Sequence, residues 1–209
     1  MLACQTTRMP ITRDIGRRVE LISMDPHGGD ISLGLYLGPG AAYRVHTYSG
    51  KAGAAERAEF VAEAMAALGG MERVSGGLLR FPCLDGHLAA ARRLFLEAAK
   101  LPSSETCTAR PLFVLDRKSN EEVRVRSLGR GVYEVEPGPR AETAAGGLAK
   151  LGQLHADPEA PARVYFPCGR PHDALIGLLL GRALNVRAAA REMELAASRG
   201  MLAAPSAQR

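Results

Sequence analysis

The stretch Phe81–His87 has the sequence FPCLDGH, and Phe166–His172, which begins 85 residues later, has the sequence FPCGRPH. Both contain Phe-Pro-Cys, with a histidine four residues after the cysteine. Upstream, Leu21–Asp25 matches Leu112–Asp116. Three further matches follow in the same order: Leu37-Gly38-x-Gly40 with Leu128-Gly129-x-Gly131, Ala58-Glu59 with Ala141-Glu142, and Leu68-Gly69 with Leu151-Gly152. The order is kept while the offset drifts, as loop insertions in a duplicated chain would produce.

Each copy predicts the element order β-β-β-α-β-α. Short apolar runs indicate strands, turn-forming clusters separate them, and apolar residues at helical spacing indicate helices. We therefore predict an α/β protein in the broad sense, which includes the α+β class, built by internal tandem duplication into a pseudo-two-fold body. The predicted parts are an N-terminal extension (1–16), repeat unit 1 (17–101), repeat unit 2 (108–187), and a C-terminal helix extension and tail (188–209).

The predicted elements of the two units are similar in length. In the first unit the strands are Arg18–Met24, Ile31–Leu37, Ala42–Thr47 and Gly77–Cys83, and the helices are Ala54–Leu68 and His87–Leu101. In the second unit the strands are Pro111–Leu115, Glu122–Arg126, Val132–Glu136 and Ala162–Cys168, and the helices are Arg140–Leu154 and His172–Leu184, with a continuation to about Arg199. Gly146 and Gly147 predict a weak helix at Arg140–Leu154.

This element order resembles the start of the ribonuclease H-like fold, which also opens with three antiparallel strands followed by a helix, a strand and a helix. The resemblance covers each half but lacks the last strand and helix of that fold. Independently of this resemblance, the helix after the third strand is long enough for a crossover connection, so we predict that the fourth strand lies parallel to an earlier one.

The composition is typical of a globular protein, with 46% hydrophobic and 23% charged residues in 209. No signal peptide or membrane span is evident, and four scattered cysteines do not form a disulfide framework, so we expect a cytoplasmic, reduced protein with no membrane partner. The charge of +5 and pI near 9.3 allow a nucleic-acid partner. However, arginine dominates the excess and is spread along the chain, which is typical of a GC-rich bacterial genome.

The repeated cysteine and histidine are the first candidates for a functional site. If the halves pack with their strand-to-helix turns facing inward, Cys83, His87, Cys168 and His172 supply two sulfurs and two nitrogens, a suitable zinc set. Alternatively, a cysteine near a helix N-terminus is a thiolate nucleophile with histidine as its base. In the third interpretation the cysteines are small apolar residues that pack in the core.

Acidic residues form a second, weaker set. Asp25, Glu59, Glu63 and Asp85 occupy positions similar to the metal-binding acids of ribonuclease H-like nucleases, which the resemblance implies would hold two ions on a phosphodiester. The second copy has Arg170 in place of Asp85, and acids on a helix are usually a solvated face.

Three functions follow as hypotheses. The first is a non-catalytic binding or assembly module for an unknown protein or small-molecule ligand, because no complete catalytic set stands out. The second is an enzyme, zinc-dependent or thiol-based, that uses the cysteine and histidine pairs. The third is a nucleic-acid-binding or nuclease-like protein. In each case we expect an apolar interface between the copies that contains Leu94, Phe95, Leu179 and Leu180.

Overall fold

The computed structural model describes residues 17–24, 30–38, 40–48, 50–116 and 119–185. These residues contain four α-helices and two five-stranded antiparallel sheets, which confirms the mixed α+β class. The predicted extensions, 1–16 and 188–209, and the helix continuation beyond residue 185 lie outside the described residues. Within the described residues, no helix is long and apolar enough to cross a bilayer.

The first sheet has the strand order β1-β2-β3-β5-β4. Its strands are β1 (Arg17–Met24), β2 (Ile31–Gly38), β3 (Gly40–Thr47), β4 (Glu72–Val74) and β5 (Leu78–Arg80). Helix α1 (Ala54–Gly69) lies between β3 and β4 in the chain, and helix α2 (Leu88–Ala98) follows β5.

The second sheet has the same order, β6-β7-β8-β10-β9. Its strands are β6 (Phe113–Asp116), β7 (Glu121–Gly129), β8 (Val132–Val135), β9 (His155–Ala156) and β10 (Arg163–Tyr165). Helix α3 (Ala141–Gly152) precedes β9, and helix α4 (Asp173–Ala183) follows β10. On β7, Val123 and Val125 are buried while Arg124 and Arg126 are exposed, so the predicted half-exposed strand is present.

The strand after the first helix differs from its prediction. Tyr43 of β3 is opposite Leu79 of β5 in an antiparallel pair, and β10 pairs with β8 in the same way, so neither strand has a parallel neighbour. The helix leads first into a short outer strand, β4 or β9, that sequence periodicity did not reveal because it has only three or two residues. The chain then reverses direction, and the next strand, β5 or β10, pairs with the third strand of its half, β3 or β8.

The predicted strands at Gly77–Cys83 and Ala162–Cys168 are also too long. They end at Arg80 and Tyr165, so each cysteine lies three residues beyond the last strand residue. Proline follows closely in both copies, and it cannot donate to a sheet ladder.

Matched arginines join the two helices of each half. Arg57 donates from Nη2 to the carbonyl of Ala99 and from Nη1 to that of Leu101, both at 2.7 Å. Arg140 donates to the carbonyl of Leu184 at 3.4 Å. In both halves, a cation at the start of the first helix therefore satisfies carbonyls at the end of the second.

The two halves share one hydrophobic core. Helix α2 contacts α3 and α4, and α1 contacts α4. The four predicted interface residues, Leu94, Phe95, Leu179 and Leu180, are fully buried in this core.

An ion pair that the sequence did not reveal also joins the halves. Arg182 of α4 donates from Nε and Nη2 to both carboxylate oxygens of Glu97 of α2, each at 3.0 Å. Arg93, which is fully buried, lies 3.6 Å from the same carboxylate. Among the described residues, a charged cluster therefore lies beside the apolar contacts that join the halves.

Candidate metal centre

The two Phe-Pro-Cys segments form the same tight turn. The backbone N–H of Leu84 donates to the carbonyl of Phe81 at 2.9 Å, and the N–H of Gly169 donates to the carbonyl of Phe166 at 3.0 Å. Proline at the second position of such a turn has its φ fixed near the required value. Each turn therefore presents its cysteine, the third residue, shortly before the following helix.

The preceding hairpin supports each turn. The N–H of Ala41 donates to the carbonyl of Leu84 at 3.1 Å, and the N–H of Phe166 donates to the carbonyl of Gly131 at 3.0 Å. A Cβ on Gly131 would lie 2.7 Å from the carbonyl oxygen of Arg170. The cysteine loop therefore passes too close to Gly131 to leave room for a side chain there.

Each histidine directly precedes a helix, α2 or α4, and a buried tyrosine fixes the start of that helix. The hydroxyl of Tyr133 accepts from the N–H of His172 at 2.6 Å and donates to Oδ1 of Asp173 at 2.7 Å. The hydroxyl of Tyr43 donates to the carbonyl of Gly86. Burial raises the pKa of both tyrosines, so both stay protonated and able to donate.

The two cysteines and two histidines meet where the halves join. Sγ of Cys83 lies 3.1 Å from Nε2 of His87, and Sγ of Cys168 lies 3.3 Å from Nε2 of His172. One ligand atom from each of the four residues lies within 4.8 Å of the other three. Among the described residues, no other group of three or more histidines, cysteines or acids could hold a metal ion. The four candidates predicted from the repeat are therefore adjacent in space.

Aromatic rings enclose the histidines. The centroids of the His87 and His172 rings are 4.7 Å apart. Phe166 packs edge-to-face at 5.2 Å from His87 and 4.6 Å from His172, while Phe81 packs at 5.2 Å and 5.7 Å from the same rings. This packing restricts rotation of both imidazoles and gives the site an apolar wall.

Burial keeps both imidazoles neutral at physiological pH. It lowers the pKa of His172 to about 4, with a second contribution from the neighbouring His87. Burial also lowers the pKa of His87, although the carboxylate of Asp85 partly opposes this effect. Neutral imidazole is the form that binds a metal ion, so these rings need not lose a proton to do so.

The surroundings of Cys83 disfavour its thiolate form. Burial raises the pKa of Cys83 to about 11, although a backbone hydrogen bond from Asp85 opposes the rise. This direction is opposite to the lowered pKa that we expected for a thiol near a helix N-terminus. In the second half the N–H of Arg170 donates to Sγ of Cys168 at 3.4 Å. Both loops therefore direct a backbone N–H at sulfur, which favours a thiolate once a cation is present.

The donor set fits zinc. In a tetrahedral zinc site, sulfur lies about 2.3 Å and nitrogen about 2.0–2.1 Å from the ion, which puts ligand atoms about 3.3–3.8 Å apart. The largest separation here, 4.8 Å, needs to shorten by only about 1 Å. Two thiolates would balance the charge of the ion, and two sulfur plus two nitrogen donors are typical of zinc or iron sites and unlike those of calcium or magnesium.

Among the described residues, the acidic candidates do not form a group that could hold a metal ion. Asp25 lies outside the described residues. Glu59 and Glu63 are exposed on α1, where both pair with Arg73. Asp85 is exposed in the loop between the first cysteine and histidine. Within the described part of the chain, none of the three belongs to a group of potential metal ligands.

The residue that matches Asp25 in the second copy has a structural role. Asp116 is buried and forms an ion pair with Nε of Arg140 at 3.2 Å. It also accepts a hydrogen bond from the hydroxyl of Ser119 at 3.0 Å, within the hairpin turn. In this half Asp116 therefore connects the hairpin turn to the start of helix α3.

Sequence reasoning missed the two tyrosines that hold the helix starts. Tyr43 and Tyr133 lie at matched positions in the third strand of each half. The signal was their recurrence just after the matched glycine pairs. This recurrence alone does not predict a role, because tyrosine is common in strands, where packing is enough to account for it.

Comparison with known proteins gave no relative: no family model, no curated protein and no solved structure matches the chain with significance.

Proposed function

We propose that this protein is a zinc-binding, non-catalytic assembly module, in which one ion joins two diverged copies of a single unit. The observation that carries the proposal is the meeting of four ligand atoms, two from each half, within 4.8 Å. Cys83 and His87 would hold the ion from the first half, and Cys168 and His172 from the second.

The number of ligands favours a structural role for the ion. Catalytic zinc sites usually have three protein ligands and an open position for water or substrate, whereas structural sites have four protein ligands. A set of two cysteines and two histidines would fill a tetrahedral ion. The ion would then act as a cross-link between the halves and stabilise the surfaces that they present to a partner.

The two halves provide independent support for a duplicated origin. The strand orders are the same, and matched residues perform the same tasks: Arg57 and Arg140 at the helix ends, and Tyr43 and Tyr133 beneath the histidines. In a fused pair of copies the pseudo-two-fold axis would pass between matched residues, and the four proposed ligands are two such matched pairs.

The test is metal analysis of the untagged full chain, purified without chelator. We expect about one zinc per chain, lost in Cys83→Ser and Cys168→Ser but kept in the matched control Cys107→Ser, whose thiol lies outside the cluster. Replacing zinc with cobalt(II) should produce sulfur-to-cobalt charge transfer and intense tetrahedral d–d bands in the wild type. Wild-type protein that stays metal-free and shows no cobalt spectrum would refute the proposal even if the serine variants fail to fold.

Metal binding should also stabilise the fold. An ion that binds only the native state stabilises it by about 4 kcal/mol when its free concentration is 1,000 times the Kd. Chelation should therefore lower the melting temperature of the wild type and of Cys107→Ser. A chelator-resistant melting temperature in protein shown to contain zinc would mean that the ion does not join the halves.

A thiol-based enzyme is the second candidate, because each sulfur lies within hydrogen-bonding distance of an imidazole nitrogen, at 3.1 and 3.3 Å. Alkylation of metal-free protein, followed by peptide mapping, separates it from the assembly module. The raised pKa of Cys83 predicts slow labelling of that thiol at neutral pH. Rapid labelling of Cys83 or Cys168 would favour the enzyme. The nucleic-acid hypothesis stays a prediction, and a steep salt dependence of DNA or RNA binding would be its evidence.

A further inference from the structure

The two sulfurs of the cluster are also neighbours of each other. The Sγ atoms of Cys83 and Cys168 lie within 4.8 Å of each other. Both side chains are only partly buried, so a small solute can reach them. Cys83 belongs to the first half of the chain and Cys168 to the second.

The turns allow the sulfurs to approach without rearranging either sheet. A disulfide needs a sulfur separation of about 2.05 Å, so the atoms must move together by less than about 3 Å. Both cysteines lie beyond the last strand residue, in turns that connect to the sheets through a few hydrogen bonds. Side-chain rotation and small loop shifts supply movement of this size.

We propose that Cys83 and Cys168 are an oxidative modification site: a peroxide converts them to a disulfide that replaces the metal ion as the link between the halves. The metal-dependent part of this inference rests on the proposed zinc-binding function. The class of co-reactant is a hydroperoxide, with hydrogen peroxide as its simplest member.

The chemistry requires one peroxide for each pair of cysteines. One thiolate attacks the peroxide, its O–O bond breaks, and the sulfur becomes a sulfenic acid as hydroxide leaves and takes a proton to form water. The second thiolate attacks the sulfenic sulfur, the S–S bond forms, and the departing hydroxide takes a second proton. Two electrons pass from the sulfurs to the peroxide, and two water molecules result.

Oxidation would also remove half of the metal ligands. His87 and His172 would remain, and two imidazoles do not retain a zinc ion that four ligands held. We therefore expect one zinc to leave for each disulfide formed. The cross-link between the halves would persist, whereas the metal would be released in response to the oxidant.

The experiment uses the zinc-loaded full chain and hydrogen peroxide. Zinc release is followed with a colorimetric chelator, free thiols are counted, and tryptic peptides are mapped by mass spectrometry without reduction. Arg92 and Arg163 lie between the two cysteines, so trypsin places Cys83 and Cys168 on separate peptides. The expected result is a linked peptide pair, about one zinc released per two thiols lost, and full reversal by a dithiol with added zinc.

The matched control is Cys107→Ser, which should behave as the wild type because it keeps both sulfurs of the cluster. Overoxidation of Cys83 and Cys168 to sulfinic acid, or their pairing with Cys4 or Cys107, would overturn the inference. Zinc release without formation of the linked peptide would overturn it as well.

A parallel sample of metal-free protein keeps this inference distinguishable from the proposed function. If the chain binds no zinc but peroxide joins Cys83 to Cys168, the zinc proposal fails while the disulfide stands. If zinc binds and the two thiols do not couple, the disulfide fails while the zinc proposal stands.

Discussion

The loops Phe81–His87 and Phe166–His172 have the same turn, and they differ in the residues around it. Cys83 and His87 match Cys168 and His172, whereas Leu84 and Asp85 are replaced by Gly169 and Arg170. In these two loops the phenylalanine, cysteine and histidine that meet across the junction are the same, whereas two exposed positions, 84/169 and 85/170, differ. The difference indicates that the geometry of the cluster constrains both loops equally, while their outer surfaces are free to vary.

The helices after these loops differ in another way. Position 97 is glutamate on α2, and its match on α4, position 182, is arginine; the two pair with each other across the junction. Two identical copies would bring like charges together at this point. The opposite charges at this matched pair therefore make the first half complementary to the second and disfavour pairing of like halves.

The largest loss of stability is expected from removing Glu97, which is the buried member of this ion pair. Glu97→Ala should lower the free energy of unfolding by about 3–5 kcal/mol, because it leaves the buried Arg93 without the carboxylate that lies 3.6 Å away. Urea unfolding measures the change. Arg182→Ala should cost less, since Arg182 is partly exposed. Equal losses in the two variants would contradict the assignment of Glu97 as the centre of the cluster.

The exchange of both charges provides a further control. Glu97→Arg alone should be worse than Glu97→Ala, and adding Arg182→Glu should recover part of the loss if the pair itself is what matters.

The glycine pair in helix α3 provides a second, smaller contrast. A Cβ at Gly147 would lie 2.1 Å from the carbonyl oxygen of Ala183, so α3 and α4 pack too closely for a side chain. Gly147→Ala should cost about 1–3 kcal/mol by overpacking. Gly146 has open space around its Cβ position, so Gly146→Ala should stabilise the protein by about 0.5–1 kcal/mol. Thermal denaturation of both variants tests the contrast. Higher stability of Gly147→Ala would show that α3 and α4 can move apart without a loss of free energy.

The turns offer a comparison of about 1 kcal/mol. Leu84 has φ 67° and Gly169 has φ 65°, so a leucine occupies a backbone conformation that favours glycine. Leu84→Gly should be neutral or stabilising by up to about 1 kcal/mol, and Gly169→Ala should be destabilising by about the same amount. Chemical denaturation of both variants, with metal content as a second reading, distinguishes backbone strain from loss of the site. Equal effects in the two loops would argue against strain at Leu84.

The smallest expected difference is a dependence on pH. Hydrogen bonds and charge from Arg182, with help from Lys100 and Arg93, hold the pKa of Glu97 below its ordinary value of 4.5 despite the opposing effect of burial. The stability from ionised Glu97 is therefore present above about pH 4.5 and is lost as the pH falls through the lower folded-state pKa. Unfolding free energies measured from pH 6 down to pH 3 should decline less steeply in Glu97→Gln. Identical slopes in the two proteins would remove Glu97 as a source of acid sensitivity.

The sequence by itself determined the α+β class, most helix positions and the four residues of the candidate metal centre. These predictions rest on local signals: apolar periodicity, turn-forming residues, and a motif that occurs twice. The duplication and the resemblance in element order to the ribonuclease H-like fold stay predictions. The end of the strand before each cysteine was predicted less well. In the first half the apolar pattern continues from Leu79 to Cys83, and only Pro82 indicates that the strand ends earlier.

Only the tertiary structure decided which strands pair, which acids face solvent, and how close the four ligand atoms lie. Tyr43, Phe81 and Glu97 acquire their roles from neighbours that are distant in sequence, so no local pattern could reveal them. The meeting of the cysteines and histidines depends on helices α2 and α4 packing across the junction of the halves. That packing results from burial of the whole core rather than from any short segment of the chain.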